Sequence, residues 1–285
     1  MKITNRLGID DALVAAMESP DWYGTPDADI TVTALVRPPQ IAYLEQIHQD
    51  KLTEDASEGL WRLLGQAVHE VLAKAHVDDG FQEERLYADI AGWRVTGRPD
   101  LYRDRHITDF KVTSVWSFVF ADKPDWEAQL NYYAVLYRRH GFAVDRLSTV
   151  GICRDWQRNR AEPSDDYPRS PFGQLFFPVW PADEAEQRIE RVVREHQAAR
   201  AGCFRPCTDA ERWAKPDRYA TMRQGQKRAV KLHADLDSAT RLAEEMIAKG
   251  IGATVEHRPG DPAVRCRDYC SVLQWCQQAK EERWQ

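Results

Sequence analysis

Two aspartates and a lysine stand close together in the sequence in a pattern that could cut a phosphodiester. Asp100 follows Gly97-Arg98-Pro99, and Asp109-Phe110-Lys111 comes shortly after it. Mg²⁺ prefers oxygen ligands and commonly binds through one or two carboxylates together with water and substrate phosphate. A metal held in this way neutralises phosphate oxygens and activates water, while a nearby ammonium helps to orient that water or to balance the developing charge.

Strand geometry would bring these groups to one site. Residues 101–102 continue a strand, residues 103–105 form a polar turn, and residues 106–112 form the next strand. Because side chains alternate along a strand, Asp109 and Lys111 share a face. Asp-x-Lys alone is a common pattern that a surface hairpin can also carry. Here it lies in a rather apolar strand. A buried acid or lysine is costly there unless it pairs with an opposite charge or serves a function.

The surrounding pattern predicts the elements that must position these residues. Apolar residues at helical spacing predict a helix over residues 59–72, and alternating runs around Ala91-Gly92 predict a hairpin. The predicted helices cover residues 41–49, 59–72, 126–140 and 182–201. The predicted strands cover residues 85–90, 93–96, 101–102, 106–112, 147–155 and 174–179, with a proline-containing loop over 158–172. This order indicates an α/β fold with a mixed central sheet flanked by helices.

The motifs around Asp100 and Asp109 resemble those of a known protein family. Gly97-Arg98-Pro99-Asp100 and Ile107-Thr108-Asp109-Phe110-Lys111 are similar to the signature of the PD-(D/E)XK nucleases. Upstream, Gly65-Gln66-Ala67-Val68-His69 resembles the G-x-x-x-H helix of the RecB-like branch, and downstream Gln129-Leu130-Asn131-Tyr132-Tyr133 resembles its Q-x-x-x-Y helix. The specificity lies in the order and spacing of these pieces over residues 65–133.

The resemblance implies a restriction-endonuclease-like core and a role for each matched residue. The metal ligands would be His69, Asp100, Asp109 and the backbone carbonyl of Val112, with Lys111 as the catalytic lysine and Gln129 and Tyr133 supporting the site or positioning substrate. Either Glu83 or Glu84 occupies the place of a further acidic residue. The implied activity is that of an Mg²⁺- or Mn²⁺-dependent deoxyribonuclease, foremost an exonuclease acting on DNA ends in recombination, repair or phage DNA metabolism. A structure-selective endonuclease and a catalytically degenerate DNA-binding module are the alternatives.

A group of cysteines near the C-terminus predicts a second metal site. Cys266, Cys270 and Cys276 form C-x3-C-x5-C, and Cys207, or alternatively Cys203, would supply the fourth thiolate. Four thiolates suit zinc or an iron–sulfur cluster, and the paired C-x2-C knuckles that zinc favours are missing from this sequence. We expect a structural role, because phosphodiester hydrolysis needs no electron.

The cysteine group also resembles part of the same family. RecB-like nucleases of the CRISPR-adaptation type, and related helicase–nuclease subunits, tie a C-terminal cysteine run to a distant cysteine through a [4Fe–4S] cluster. Here the first gap is longer, and the distant cysteine follows the nuclease core instead of preceding it. The tail from Cys207 to Cys276 is more similar to that of phage-encoded members. The resemblance favours [4Fe–4S] over structural Zn²⁺.

Composition sets the remaining expectations. Residues 1–55 are predicted to be an N-terminal segment that covers the core, 56–202 the nuclease core, and 203–285 a ββαβ subdomain with the cysteines. No apolar run reaches the ~20 residues of a membrane helix and no secretory signal is recognisable, so we expect a cytoplasmic location and no membrane partner. A net charge of −6 counts mildly against nucleic acid, but arginines in residues 154–160 could track phosphates. DNA is the expected partner, with recombination proteins or further copies of the chain as additional candidates.

Overall fold

The computed structural model describes residues 2–18, 27–75, 77–162 and 167–283. The chain divides into two compact units, Met1–Phe204 and Arg205–Gln285. The loop predicted over residues 158–172 includes residues 163–166, which lie outside the described ranges. Within those ranges, no helix is both long enough and apolar enough to cross a membrane.

The first unit alternates helices with short strands. Its helices are α1 (Asp11–Glu18), α2 (Val32–Leu35), α3 (Pro39–Ile47), α4 (Ala56–Ala73), α5 (Trp116–Phe120), α6 (Pro124–Arg139), α7 (Arg158–Ala161) and α8 (Ala182–Arg200). Its strands are β1 (Lys2–Thr4), β2 (Ile30–Thr31), β3 (Thr53–Asp55), β4 (Gly80–Gln82), β5 (Leu86–Ile90), β6 (Trp93–Gly97), β7 (Leu101–Arg103), β8 (His106–Thr113), β9 (Arg146–Cys153) and β10 (Phe172–Phe177).

The central sheet has the strand order β10-β9-β8-β7-β4. Strand β8 is parallel to β9 and antiparallel to β7, so the sheet is mixed. A second sheet of order β2-β6-β5 and the parallel pair β1-β3 complete the strands described for this unit. Helices pack against both larger sheets, and this architecture confirms the predicted α/β fold with mixed sheets flanked by helices.

Helix α6 runs through the middle of the core. It begins with Pro124 in its first turn, carries acidic residues there and ends on Arg138 and Arg139, which matches the helix dipole. Every residue from Gln129 to Tyr137 is buried. The ring of Tyr137 stacks on Tyr102 of β7 with 4.4 Å between centroids. Burial on all sides fixes the position of α6 relative to β8.

Helix α4 is anchored by the residue that precedes it, Asp55. The side chain of Asp55 accepts the backbone N–H of Ser57 as an N-cap, and its other oxygen accepts the hydroxyl of Thr4 and the N–H of Arg6. An N-cap of this kind stabilises a helix by about 1 kcal/mol. The cap explains why α4 begins at Ala56, earlier than the Gly59 that the apolar pattern predicted.

The phenyl ring of Phe118 in α5 packs against the central sheet. Phe118 rests on Gly151 of β9 and Gly173 of β10, where an added Cβ would overlap atoms of the ring. A side chain at either position would displace the ring. The start of α5 is held in addition by Asp155, which accepts the hydroxyl of Ser114 at 2.6 Å and the N–H of Val115 at 2.7 Å.

The second unit contains the predicted ββαβ arrangement. Its elements are β11 (Arg218–Arg223), β12 (Ala229–His233), α9 (Leu236–Ala248), β13 (Ala253–Arg258), α10 (Val264–Tyr269) and α11 (Gln277–Glu281). The sheet order is β12-β11-β13, with both pairings antiparallel. Asp235 caps α9 by accepting the N–H of Ser238 at 2.8 Å. The two short helices that follow β13 carry or flank the C-terminal cysteines.

Candidate active site

Three side chains from separate elements converge near the start of β7. His69 comes from α4, Glu83 follows β4, and Asp100 precedes β7. One ligand atom of each lies within 4.8 Å of the other two. The imidazole Nδ1 of His69 is 3.1 Å from Oδ1 of Asp100. Of the two candidate glutamates, the structure therefore brings Glu83 into the group, whereas Glu84 is exposed.

Negative charge is crowded in this group. Burial, and then the charge of Asp100, raise the pKa of Glu83, although Arg98 lies 2.9 Å from its carboxylate and opposes the shift. The hydrogen bond with Asp100 raises the pKa of His69. In both groups the neighbouring Asp100 carboxylate favours the protonated form. A cation bound among these oxygen and nitrogen atoms would offset the negative charge.

Asp109 and Lys111 form an adjacent ion pair on β8. The Nζ of Lys111 is 2.8 Å from Oδ2 of Asp109, and Asp109 is 5% exposed. Burial raises the pKa of Asp109. Burial opposes the charge of Lys111, but the Asp109 carboxylate outweighs it and raises the lysine pKa. The N–H of Phe110, between the two, donates to Oδ2 of Asp100 and so ties the first group to β8.

Helix α6 supports the lysine from the other side. The Oε1 of Gln129 lies 3.4 Å from Nζ of Lys111, and its Nε2 donates to the hydroxyl of Tyr133 at 3.1 Å. The same Nε2 is 3.4 Å from the hydroxyl of Thr33 in α2. Burial raises the pKa of Tyr133 to about 12, so its hydroxyl remains protonated near neutral pH. Gln129 and Tyr133 therefore form a chain of neutral polar groups that leads to Lys111.

Gly97 makes the approach of α6 possible. A Cβ at Gly97 would lie 2.8 Å from Cδ1 of Tyr133 and 3.0 Å from a methyl carbon of Val32. The ring of Tyr133 therefore lies directly on the backbone of β6, just before Arg98. Gly97 stands within the motif, but only the packing of α6 shows what the glycine is for. Thr33 and Arg98 were likewise not predicted as site residues, since long-range packing brings them there.

The remaining predicted metal ligand is Val112. It follows Lys111 on β8 and pairs with Ile152 of β9 in the parallel ladder. Its side chain is half-buried. The resemblance assigns the role of metal ligand to the backbone carbonyl of Val112, so its side chain has no predicted chemical role.

The cysteines group in the second unit. Cys207, Cys266 and Cys276 are buried and Cys270 is half-buried, whereas Cys203 is exposed and belongs to the first unit. Burial raises the pKa of Cys207 to about 12 and that of Cys266 to about 11, and the charges of the other thiols in the group add to both shifts. The side-chain amide of Gln278 holds the backbone of Cys207 through two hydrogen bonds of 2.9 and 3.0 Å.

Comparison with known proteins agrees with this geometry. Residues 31–277 match the PD-(D/E)XK nuclease superfamily, and the chain belongs to it. The protein is accordingly a nuclease, a hydrolase of a superfamily whose members typically use divalent metals such as Mg²⁺.

Solved structures of other proteins resemble the chain, including the following two. The structure of the protein SSO0001 has 18% sequence identity and a TM-score of 0.46, covering 70% of this chain and 89% of its own. A putative exonuclease from Eubacterium rectale has 13% identity and a TM-score of 0.33, covering 73% of this chain and 79% of its own. No curated protein matches the chain.

Proposed function

We propose that this nuclease is a divalent-metal-dependent deoxyribonuclease that acts as an exonuclease on DNA ends. The convergence of His69, Glu83 and Asp100 beside the Asp109–Lys111 pair carries the proposal. The carboxylate oxygens suit Mg²⁺ or Mn²⁺, and the imidazole nitrogen adds a ligand that transition metals such as Mn²⁺ accept. The resemblance of the His69 and Gln129 helices to those of the RecB-like branch supports action on ends. DNA recombination, repair or phage DNA metabolism would be the setting.

Each residue of the active site would have a separate role. His69, Asp100, Asp109 and the carbonyl of Val112 would hold the ion, and Glu83 would join them because its carboxylate lies beside His69 and Asp100. A bound divalent ion supplies charge neutralisation at the phosphate and a more acidic water. Lys111, kept protonated by Asp109, directs its ammonium toward the reacting phosphate or water. Gln129 holds that ammonium in place from α6.

The choice between exonuclease and endonuclease has a direct test. Linear duplex and single-stranded DNA, labelled at either end, would be incubated with the protein and Mn²⁺ beside closed circles of the same sequence. We expect the linear molecules to shorten from an end and the circles to persist until they are opened by a single cut. Cutting of closed circles would establish the endonuclease alternative. Binding without cleavage of any of these molecules would indicate a degenerate DNA-binding module.

We further propose that Cys207, Cys266, Cys270 and Cys276 hold a [4Fe–4S] cluster with a structural role. The support is that three of the four thiols, Cys207, Cys266 and Cys276, are buried in the second unit, and that neighbouring thiols of the group add to the raised pKa of Cys207 and of Cys266. Buried thiolates are costly unless a cation compensates them. A bound cluster, or a structural Zn²⁺ as the alternative, would pin the chain end back to Cys207.

Replacing one cysteine at a time would test the cluster. Protein purified without oxygen is expected to absorb broadly in the visible range and to contain about four iron and four sulfide per chain. Cys207→Ser should lose most of that iron and lower the melting temperature of the second unit, since ligation contributes to folding. Cys203→Ser is the matched control and should keep both the iron content and the melting temperature of the wild type. A colourless wild-type protein containing one zinc would overturn the cluster in favour of Zn²⁺.

A further inference from the structure

Large aromatic rings are exposed on α4, which carries His69, and on α5, which follows the strand of Asp109 and Lys111. Trp61 of α4 is 56% exposed, and Trp116 and Phe120 of α5 are 40% and 72% exposed. Exposed apolar side chains that cluster near a site commonly mark a binding surface. Each of these rings also lies close to a cation or to another ring. This arrangement is complementary to a ligand that has flat apolar faces and negative charge.

The rings on α5 form a stacked pair. The centroids of Trp116 and Phe120 are 5.7 Å apart with 22° between their planes. They share a face of the helix because they are four residues apart. The guanidinium of Arg160 lies 6.0 Å from the Trp116 ring centroid. The pair offers an aromatic surface with a positive charge beside it.

A second aromatic–arginine pair lies on the helix of His69. The guanidinium of Arg154 lies 4.7 Å from the ring centroid of Trp61. Trp61 precedes His69 by eight residues, about 12 Å along α4. The backbone N–H of Arg154 donates to the carbonyl of Thr113 at 3.0 Å, at the end of the strand that carries Asp109 and Lys111. The pair therefore lies within a few nucleotide lengths of the active site.

The rings of α5 are held in place and do not turn into the core. Phe118 occupies the glycine-lined surface of β9 and β10, so the opposite side of α5 must face outward. Asp155, the neighbour of Arg154, fixes the first turn through Ser114 and Val115. A platform that is rigid before binding loses little conformational entropy when a ligand stacks on it.

We propose that this stacking surface, formed by Trp61, Arg154, Trp116, Phe120 and Arg160, binds single-stranded DNA next to the active site. The inference rests on the proposed deoxyribonuclease function. Unpaired bases expose their π-faces to aromatic side chains, whereas bases within a duplex already stack on their neighbours. Arginines beside the rings supply phosphate contacts and cation–π interaction. A duplex-binding surface would gain phosphate contacts from the arginines but nothing from the rings.

Binding of oligonucleotides with and without bases tests this surface. Fluorescence anisotropy, with Ca²⁺ in place of Mn²⁺, would measure the affinity for a twelve-residue oligothymidylate and for an abasic strand with the same phosphates. The double variant Trp116→Ala/Phe120→Ala is expected to raise Kd for the oligothymidylate at least tenfold, within the range for a lost base stack. Affinity for the abasic strand should stay unchanged. Phe176→Ala, which removes a ring that is 64% exposed on β10, is the control.

The arginines give a second and independent measurement. Arg154→Gln and Arg160→Gln should each reduce the slope of log Kd against log salt by about 0.7 on single strands, the effect of one lost phosphate contact. The inference is wrong if the aromatic double variant binds the oligothymidylate like the wild type, or if it weakens binding to both strands equally. These measurements need no cleavage. A wild-type protein that degrades no DNA with Mn²⁺ would contradict the proposed function and leave the binding result readable.

Discussion

Asn in place of Asp109 is expected to reduce the cleavage of linear DNA by at least about a thousandfold, in the range found when catalytic groups are removed. The amide matches the carboxylate in size, so the nearly complete burial of the side chain is preserved. It carries no charge to hold either a divalent ion or the ammonium of Lys111, which lies 2.8 Å away. The measurement is kcat/KM on end-labelled linear DNA with Mn²⁺.

Asp104→Asn provides the matched control. Asp104 lies in the turn between β7 and β8 with a φ of 50°, a conformation that asparagine adopts readily. It is exposed, and the same chemical change there should leave activity and thermal stability within error of the wild type. Activity of Asp109→Asn within tenfold of the control would remove Asp109 from the catalytic group.

The longest elements of the fold could be predicted because their patterns are local. Helices α4, α6 and α8 carry apolar residues at helical spacing, and β8 and its turn follow from alternation around Asp109. Their predicted and observed bounds differ by a few residues at the ends. The start of α4 differs because an acidic cap, Asp55, extends the helix beyond its apolar pattern. The order of the elements was enough to predict the mixed α/β architecture.

The segment from Asp29 to Leu35 shows where local pattern fails. Its alternating residues are typical of a strand, but only Ile30–Thr31 pairs with β6, and the chain then turns into α2. Thr31 caps this helix by accepting the N–H of Ala34 at 3.1 Å. Val32 and Leu35 are almost completely buried. Burial in the core, which the sequence pattern does not reveal, therefore decides the local structure.

The choice between Glu83 and Glu84 also depended on tertiary structure. Glu83 has a φ of 53°, in the left-handed region that non-glycine residues rarely adopt. Its N–H donates to the carbonyl of Asp100 at 3.2 Å, which holds the turn after β4 in this form. Residues held in such conformations cluster at functional sites. Neighbouring glutamates look equivalent in sequence, and only the turn separates the half-buried one from the exposed one.

Removing divalent metal is expected to abolish DNA cleavage completely, and adding Mn²⁺ or Mg²⁺ should restore it. Without a cation, His69, Lys111 and Arg98 are the positive groups that face the carboxylates of the site. Burial, and then the nearby Asp100 carboxylate, raise the pKa of Glu83, so a divalent ion bound there would favour the ionised carboxylates. Activity on linear DNA would be measured after dialysis against EDTA and again after addition of metal. Iron and zinc contents measured before and after dialysis would show whether the cysteine site keeps its metal. Full activity in EDTA would overturn the metal dependence.

The two glutamates allow the ion's location to be tested without measuring activity. At a hundred times its Kd, an ion that binds only the folded protein stabilises it by about 2.7 kcal/mol, or several degrees in melting temperature. We expect Mn²⁺ to raise the melting temperature of the wild type and of Glu84→Gln, whose side chain is exposed. Glu83→Gln should lose most of that increase, because it removes a carboxylate beside His69 and Asp100. Equal increases in the two variants would place the ion away from Glu83, and a loss confined to Glu84→Gln would reverse the assignment.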